Sequence, residues 1–317
     1  MTPFATAATA LNFALAVAAA AGVAPPGRED PWTLVWSDDF DGDSVNATNW
    51  NVRNNTLHGA TELQVYLDED VFVSGGQLVI RTRSNVHWCV PAGPASSCAP
   101  SLPTAPGAVQ YNYSSGWLDT KHKVYPKYGK IEVRAQLPDK QSFGVWPAHW
   151  LMPEPAVCWP VGGEIDIMES YGNGLQSQWK HHLNGTVFGT YHWAKECGKD
   201  LHCGGSAPEH ACAPFNFNGV YPPPGAALVD FSANFHVFAV TWNSTSVQWY
   251  VDGDKYWERY DGDRPGTDHS AAVDTNLMYI ILNTAINPGF VAAPGEPTER
   301  VMPVYHKIDY VRVYTMS

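Results

Sequence analysis

Gly162-Gly163-Glu164-Ile165-Asp166-Ile167-Met168-Glu169 places three carboxylates within six residues, separated only by apolar side chains. Alternation of acid and aliphatic is a strand pattern, because successive side chains of a strand point to opposite faces. Glu164 and Asp166 therefore share one face, with Ile165 and Ile167 on the other. Strict alternation would put position 168 on the acid face, but the third acid is Glu169. One extra residue, a β-bulge at Ile167 or Met168, returns Glu169 to the side of the other two. Three like charges on one strand face repel one another, so the arrangement is disfavoured unless something uses it.

The rest of the chain suits strands. Only 16% of its 317 residues are charged, 13% are aromatic with 13 Trp, and Gly and Pro number 27 and 25. That composition predicts many short strands joined by turns. A formal charge of −12 argues against nucleic acid or an anionic membrane as partner and leaves neutral polymers open.

Strands are expected at Trp32–Ser37, Glu62–Tyr66, Leu78–Thr82, Gly116–Lys121, Gly129–Ala135 and Val145–Met152. They continue around the acid strand with Thr186–His192, Phe235–Trp242, Val247–Val251, Met278–Leu282 and Ile308–Tyr314. Gly129–Ala135 alternates cleanly, as a half-buried antiparallel strand does. Asp252-Gly253 is a hairpin turn signal. Residues 88–109 and 194–228 are rich in Pro, Gly and Ala and read as loops, the second as a surface insertion. With no long helical pattern, no repeat and no linker, the expectation is one β-sandwich domain over residues 30–317.

Six cysteines, at 89, 98, 158, 197, 203 and 212, all fall in loop-like stretches. Cys197, Cys203 and Cys212 with the nearby histidines lack the short spacing of zinc motifs, so disulfides are the better reading. Their pairing stays open. Residues 1–24 resemble a signal peptide, with an apolar run from Leu11 to Ala21 too short to span a membrane. Five Asn-x-Ser/Thr tripeptides, at Asn46, Asn54, Asn112, Asn184 and Asn243, agree with secretion.

Two facing carboxyl groups are the working parts of most glycoside hydrolases: one protonates the leaving oxygen, the other attacks the sugar or activates water. Crowding them raises at least one pKa, which keeps an acid protonated near neutrality. Alpha carbons four positions apart on a strand are roughly 13 Å from each other. Two Glu side chains leaning inward over Asp166 can close to about 5–5.5 Å, the separation of retaining enzymes. A calcium site is the rival use, but calcium prefers a flexible loop with backbone carbonyls.

In sum these residues resemble the family 16 glycoside hydrolases, in particular laminarinase-like endo-β-1,3-glucanases. The likeness runs nearly end to end, through Trp36-Ser-Asp-Asp-Phe-Asp-Gly42, Glu62-Leu-Gln-Val-Tyr66, Ser115–Lys121, Tyr128–Ala135, Trp146–Met152, the acid motif, Trp249–Gly253, Ile281-Leu-Asn283 and Ile308–Tyr314.

The resemblance implies a β-jelly roll of two antiparallel sheets with a concave cleft for polysaccharide. It implies Glu164 as nucleophile, Glu169 as general acid/base and Asp166 as support between them. His192 is expected near the acid/base; Trp146, Trp150, Trp117, Glu62 and Asn283 are expected to contact substrate. No cofactor serves the reaction. A structural calcium is expected at Asp39, Gly76 and Asp309. The implied protein is a secreted, monomeric, retaining endo-β-1,3-glucanase acting on laminarin-like or mixed-linkage β-glucan. Lichenase-type or transglycosylase activity is the near alternative, and a non-catalytic glucan-binding protein the distant one. Departures from the family pattern are Thr61, Trp117, His149 and the insertion at 194–228.

Overall fold

A computed structural model describes residues 31–59, 61–93, 96–139, 144–170, 185–192, 197–198, 219–223, 225–260, 276–287 and 302–316. The expected signal peptide, Cys203, Cys212, Asn184 and most of the 194–228 insertion lie outside the described residues. The described chain forms two sheets, and every strand pair but one is antiparallel.

The first sheet has seven strands, in the order β13 (Gly219–Tyr221), β12 (Val187–His192), β11 (Glu164–Glu169), β10 (Val145–Glu154), β17 (Leu277–Ile286), β8 (Trp117–Asp119) and β2 (Asn51–Val52). The second has eleven. Its spine runs β16 (Asp254–Tyr260), β15 (Ser246–Val251), β14 (His236–Trp242), β9 (Gly129–Gln136), β18 (Val304–Met316), β5 (Leu78–Pro91), β7 (Val109–Ser115) and β3 (Gln64–Tyr66). Off that spine, β1 (Trp32–Asp38) pairs with β18, while β4 (Val71–Val73) and β6 (Cys98–Pro100) pair with β5. The parallel exception is β3 beside β7.

The core lies between the sheets and is built by alternation. On β9, Ile131, Val133 and Ala135 are fully buried while the residues between them reach solvent. They meet Leu151 of β10, Ile165 and Ile167 of β11 and Ile280 and Leu282 of β17 in one apolar cluster. A period of two on both sheets puts one face of each strand into this layer. Asp252 and Gly253, at φ 51° and 88°, close the β15–β16 hairpin, the turn that Asp-Gly selects.

Two expectations need correction. Residues 88–109 are not simply a loop: β5 runs on to Pro91, and β6 and β7 pair with it. The Val-His-Trp-Cys-Val run continues the strand alternation that the surrounding Pro and Ala obscured. The insertion is also not wholly loop, since Gly219–Tyr221 adds an edge strand beside β12.

Candidate active site

The acid strand sits one from centre in the seven-stranded sheet, and its ladders contain the expected bulge. Against β10, Trp150 faces Asp166 but the next residue back, His149, faces Met168. Against β12, Thr190 faces Asp166 and Phe188 faces Glu169. Both neighbours thus count one residue fewer than β11 between Asp166 and Glu169. The consequence is visible in the packing, because Ile165, Ile167 and Met168 all join the core between the sheets. Two consecutive residues pointing inward return Glu169 to the outer face with Glu164 and Asp166.

The opposite sheet holds the bulge in place. Trp249 of β15, fully buried, donates its indole N–H to the Asp166 carbonyl at 2.7 Å. The indole reaches that carbonyl because position 189 on β12 has no side chain. A Cβ on Gly189 would stand 2.3 Å from Trp249 Cδ1. Gly163, at φ 77°, makes the left-handed turn that delivers Glu164 into the strand.

Each carboxyl group has a different environment. Glu169 is 8% exposed; it accepts from Trp146 Nε1 at 2.9 Å and from Thr190 Oγ1 at 3.4 Å. Glu164 is half-buried and accepts from Trp159 Nε1 at 2.5 Å. Asp166 is 2% exposed, and burial, then the charges of Glu169 and Glu164, push its carboxyl well above the usual carboxylate range. His192 Nε2 lies 3.2 Å from Asp166 Oδ2 and opposes that rise.

His192 is therefore beside the Glu164 end of the motif and not beside Glu169, as expected from the sequence. The antiparallel register decides this: Glu164 pairs with His192, and the chain runs away from Glu169 before reaching it.

The expected substrate contacts divide. Trp146 touches Glu169 directly. Trp150 and Trp117 stand on the same outer face but are 7% and 3% exposed, so they are not open platforms. They meet edge to face at 5.2 Å and pack with Tyr66, Tyr279 and Ile281 in a second apolar cluster. Trp150 Nε1 donates to Asn283 Oδ1 at 2.8 Å, and Asn283 Nδ2 donates to the Tyr66 hydroxyl at 3.0 Å. Tyr66 in turn donates to Glu62 Oε2 at 3.0 Å. Asn283 and Glu62 are thus the two ends of a polar chain along the floor, anchored by indole and phenol groups.

Trp159 and Thr190 also reach the acids, at Glu164 and Glu169; Trp159 is one of the tryptophans that the sequence sets near the acid strand, and Thr190 was not among the expected site residues. Trp159 is 40% exposed, which makes it an open indole beside the acids among the described residues. Its loop is tethered by the Cys158–Cys197 disulfide and by Gly198 N donating to the Trp159 carbonyl. A Trp within five residues of the first acid was the available signal. The second disulfide joins Cys89 to Cys98. With Cys197 bonded to Cys158, the zinc reading of Cys197, Cys203 and Cys212 loses a ligand.

Metal readings fare poorly on the described residues. Glu164, Asp166 and His192 bring ligand atoms within 4.8 Å of one another. Burial and the neighbouring acids favour a protonated Asp166, however, which weakens the set as a cation site. At the expected calcium positions, Asp39 Oδ1 accepts from Arg312 at 2.6 Å and Asp309 Oδ2 from Arg134 at 2.6 Å. Gly76 lies next to Asp41, its position for a Cβ being 4.0 Å from Asp41 Oδ1. The two expected carboxylates are compensated by guanidinium groups and do not fit a calcium site.

A two-sheet β-sandwich presenting a bulged Glu-x-Asp-x-x-Glu strand on one outer face defines a class, and comparison with known proteins agrees. A family model of the XgeA-like catalytic GH16 domain matches residues 126–216, and one of glycosyl hydrolases family 16 matches residues 225–289. The solved laminarinase catalytic domain of Thermotoga maritima MSB8 is 31% identical with a TM-score of 0.64, over 90% of this chain and 98% of that one. A solved non-specific endo-β-1,3(4)-glucanase of family GH16 superposes with a TM-score of 0.65 at 27% identity, over 93% and 95% of the two chains. Glucan endo-1,3-beta-glucosidase A1 of Niallia circulans is 30% identical over 89% of this chain, which spans only 37% of that relative's length. The chain belongs to glycoside hydrolase family 16 and is laminarinase-like, with a β-jelly-roll fold.

Proposed function

We propose that the protein is a retaining endo-β-glucanase that cleaves β-1,3 linkages in laminarin-like or mixed-linkage glucans. The observation that carries this reading is the bulge, which brings Glu164, Asp166 and Glu169 to one face while Ile167 and Met168 enter the core. Glu164, the more open carboxylate, attacks the anomeric carbon. Glu169, walled by Trp146 and Thr190, protonates the leaving oxygen and then takes a proton from the incoming water. Asp166 carries its proton between them. A neutral Asp166 removes one like charge from the face and so spares its neighbours repulsion. Trp159 donates to Glu164 and orients it.

The β-1,3 preference draws support from the likeness to the laminarinase domain and to the glucan endo-1,3-beta-glucosidase. The non-specific neighbour keeps β-1,4 bonds of mixed glucans within reach. Secretion is part of the proposal. It draws support from the two disulfides, which belong to oxidising compartments, and from the exposure of Asn46, Asn54, Asn112 and Asn243.

Reducing-sugar release from laminarin, lichenan and a β-1,4-glucan tests the reading. Laminarin is expected to be cut fastest, and Glu164→Gln to abolish release. Equal release by wild type and Glu164→Gln removes Glu164 as nucleophile; no release by wild type leaves a binding protein. Glu169→Gln should slow natural glucan far more than an aryl glucoside with a good leaving group, which needs little acid help.

A further inference from the structure

Beside the acid face, the described residues enclose a recess of about 210 Å³ that the catalytic reading does not use. It is lined by Leu57, His58, Glu62, Gln64, Pro91 and Tyr111, with Gly59 and Gly93 at its rim. These residues come from the 57–64 segment and from β5 and β7 of the opposite sheet, not from the strands that form the floor under the acids. The recess is therefore a side chamber, joined to that floor through Glu62 and Tyr66. His58 connects the two: it lines the recess, and its ring lies 4.9 Å from Trp117 and 5.7 Å from Trp150.

The polar groups inside are fixed in advance. Glu62 accepts from His58 Nδ1 or faces it at 2.9 Å through Oε1, and takes hydrogen bonds at Oε2 from Gln64 at 2.5 Å and Tyr66 at 3.0 Å. Gln64 is itself anchored by accepting from the Ile286 amide at 2.6 Å. Gly59 makes room, since a Cβ there would stand 2.9 Å from Glu62 Oε1. The two walls are tied together as well. Cys98 N donates to the Asn55 carbonyl and Leu57 N to the Ser96 carbonyl, and the buried Cys89–Cys98 disulfide closes the strand pair that carries Pro91.

An oriented carboxylate, a carboxamide and an imidazole, set among Leu57, Pro91 and Tyr111, suit a hydroxyl-rich ring with an apolar face. At about 210 Å³ the recess is smaller than the roughly 300–1,000 Å³ pockets of drug-sized ligands, which suits one sugar ring better than several. From the acid strand to β8 is three strand spacings, about 14 Å, so an occupant would hang from a glucan chain already lying across the acids. We propose that this recess is a binding site for a single glucosyl branch on the β-1,3 backbone, attached through a 6-hydroxyl, and that it selects branched over linear glucan. The proposal rests on the β-glucanase reading above.

The test compares kcat/KM for a linear β-1,3-gluco-oligosaccharide with that for the same oligosaccharide bearing one β-1,6-glucosyl branch. Wild type is expected to favour the branched substrate by about 10-fold, the low end of what one pocket contributes. Pro91→Trp, which fills the recess, should remove that preference and leave the linear rate unchanged. Tyr111→Ala, which opens its wall, should do the same and guards against misfolding of the first variant. A branch preference that survives in both variants, or a loss in both that is equal on the two substrates, overturns the proposal. Wild type inactive on either substrate would instead sink the β-1,3-glucanase reading.

Discussion

Replacing Trp249 with Phe tests whether the far sheet holds the catalytic bulge in register. Trp249 lies on β15, in the sheet that carries none of the acids, and its indole N–H meets the Asp166 carbonyl at 2.7 Å in a fully buried setting. Phe keeps an aromatic ring but loses the donor. The carbonyl is then orphaned away from water, at a cost of about 1–3 kcal/mol. The missing half of the indole leaves a void beside Gly189 and Trp257, worth about 1–2 kcal/mol more when scaled from large-to-small core changes. The sum, about 2–5 kcal/mol, corresponds to a fall in Tm of roughly 3–8 °C for a domain of this size.

Activity should fall further than stability accounts for. The Asp166 carbonyl sits where the extra residue enters, and a displacement of about 1 Å at a reacting group costs on the order of 100-fold in rate. The assay is calorimetry paired with kcat on laminarin, measured well below the variant's Tm so that all molecules are folded. Gly189→Ala presses on the same strut from the other side and should show the same pairing of effects. If Trp249→Phe unfolds within about 2 °C of wild type and keeps its kcat, the bulge is self-supporting and the reasoning is refuted.

Two predictions concern protons. Burial and the neighbouring acids raise the folded Asp166 carboxyl above its ordinary value of 3.8, so the native state holds that proton more tightly than the unfolded chain. Stability is then lost as pH climbs from about 4 through the folded value. Asp166→Asn should raise Tm at pH 7, with the gain shrinking towards pH 3, while kcat drops; a gain that is the same at both pH values would contradict the assignment. The second concerns His149 of β10 and His306 of β18, whose Nε2 atoms meet at 2.9 Å between the sheets. Burial lowers His306 from 6.5 to about 3, and lowers His149 with help from His306. Depressed folded values mean stability is present above about 6.5 and lost as pH falls towards 3. His306→Gln should flatten the acid limb of the Tm–pH curve, and an unchanged slope would remove the pair as its cause.

The acid strand could be read from sequence because its pattern is local. Alternation assigns faces to Glu164, Ile165 and Asp166, and the odd spacing to Glu169 leaves a bulge as the remedy. Gly129–Gln136 and the Asp252-Gly253 hairpin were legible for the same reason. What depended on distant partners was not. Trp150 and Trp117 have the composition of sugar platforms, but the closeness of Tyr66, Tyr279 and His58 buries them, and those contacts span up to 162 positions from Trp117 to Tyr279. The side of the motif that His192 serves depends on strand register, which spacing alone does not give. The place of Trp159 depends on which cysteine Cys158 chooses, and six cysteines allow 15 pairings. Trp249, 83 residues from Asp166, has no mark in the sequence that separates it from any other core Trp.

The central claim is that Glu164 and Glu169 act as nucleophile and acid/base across a β-1,3-glucosidic bond. Proton NMR of the first products released from laminarin tests it most directly, by following the anomeric signals before mutarotation. Two displacements at one carbon predict that the β-anomer appears first and the α-anomer grows in later. If the α-anomer appears first, water attacks directly, and Glu164 is a base instead of a nucleophile.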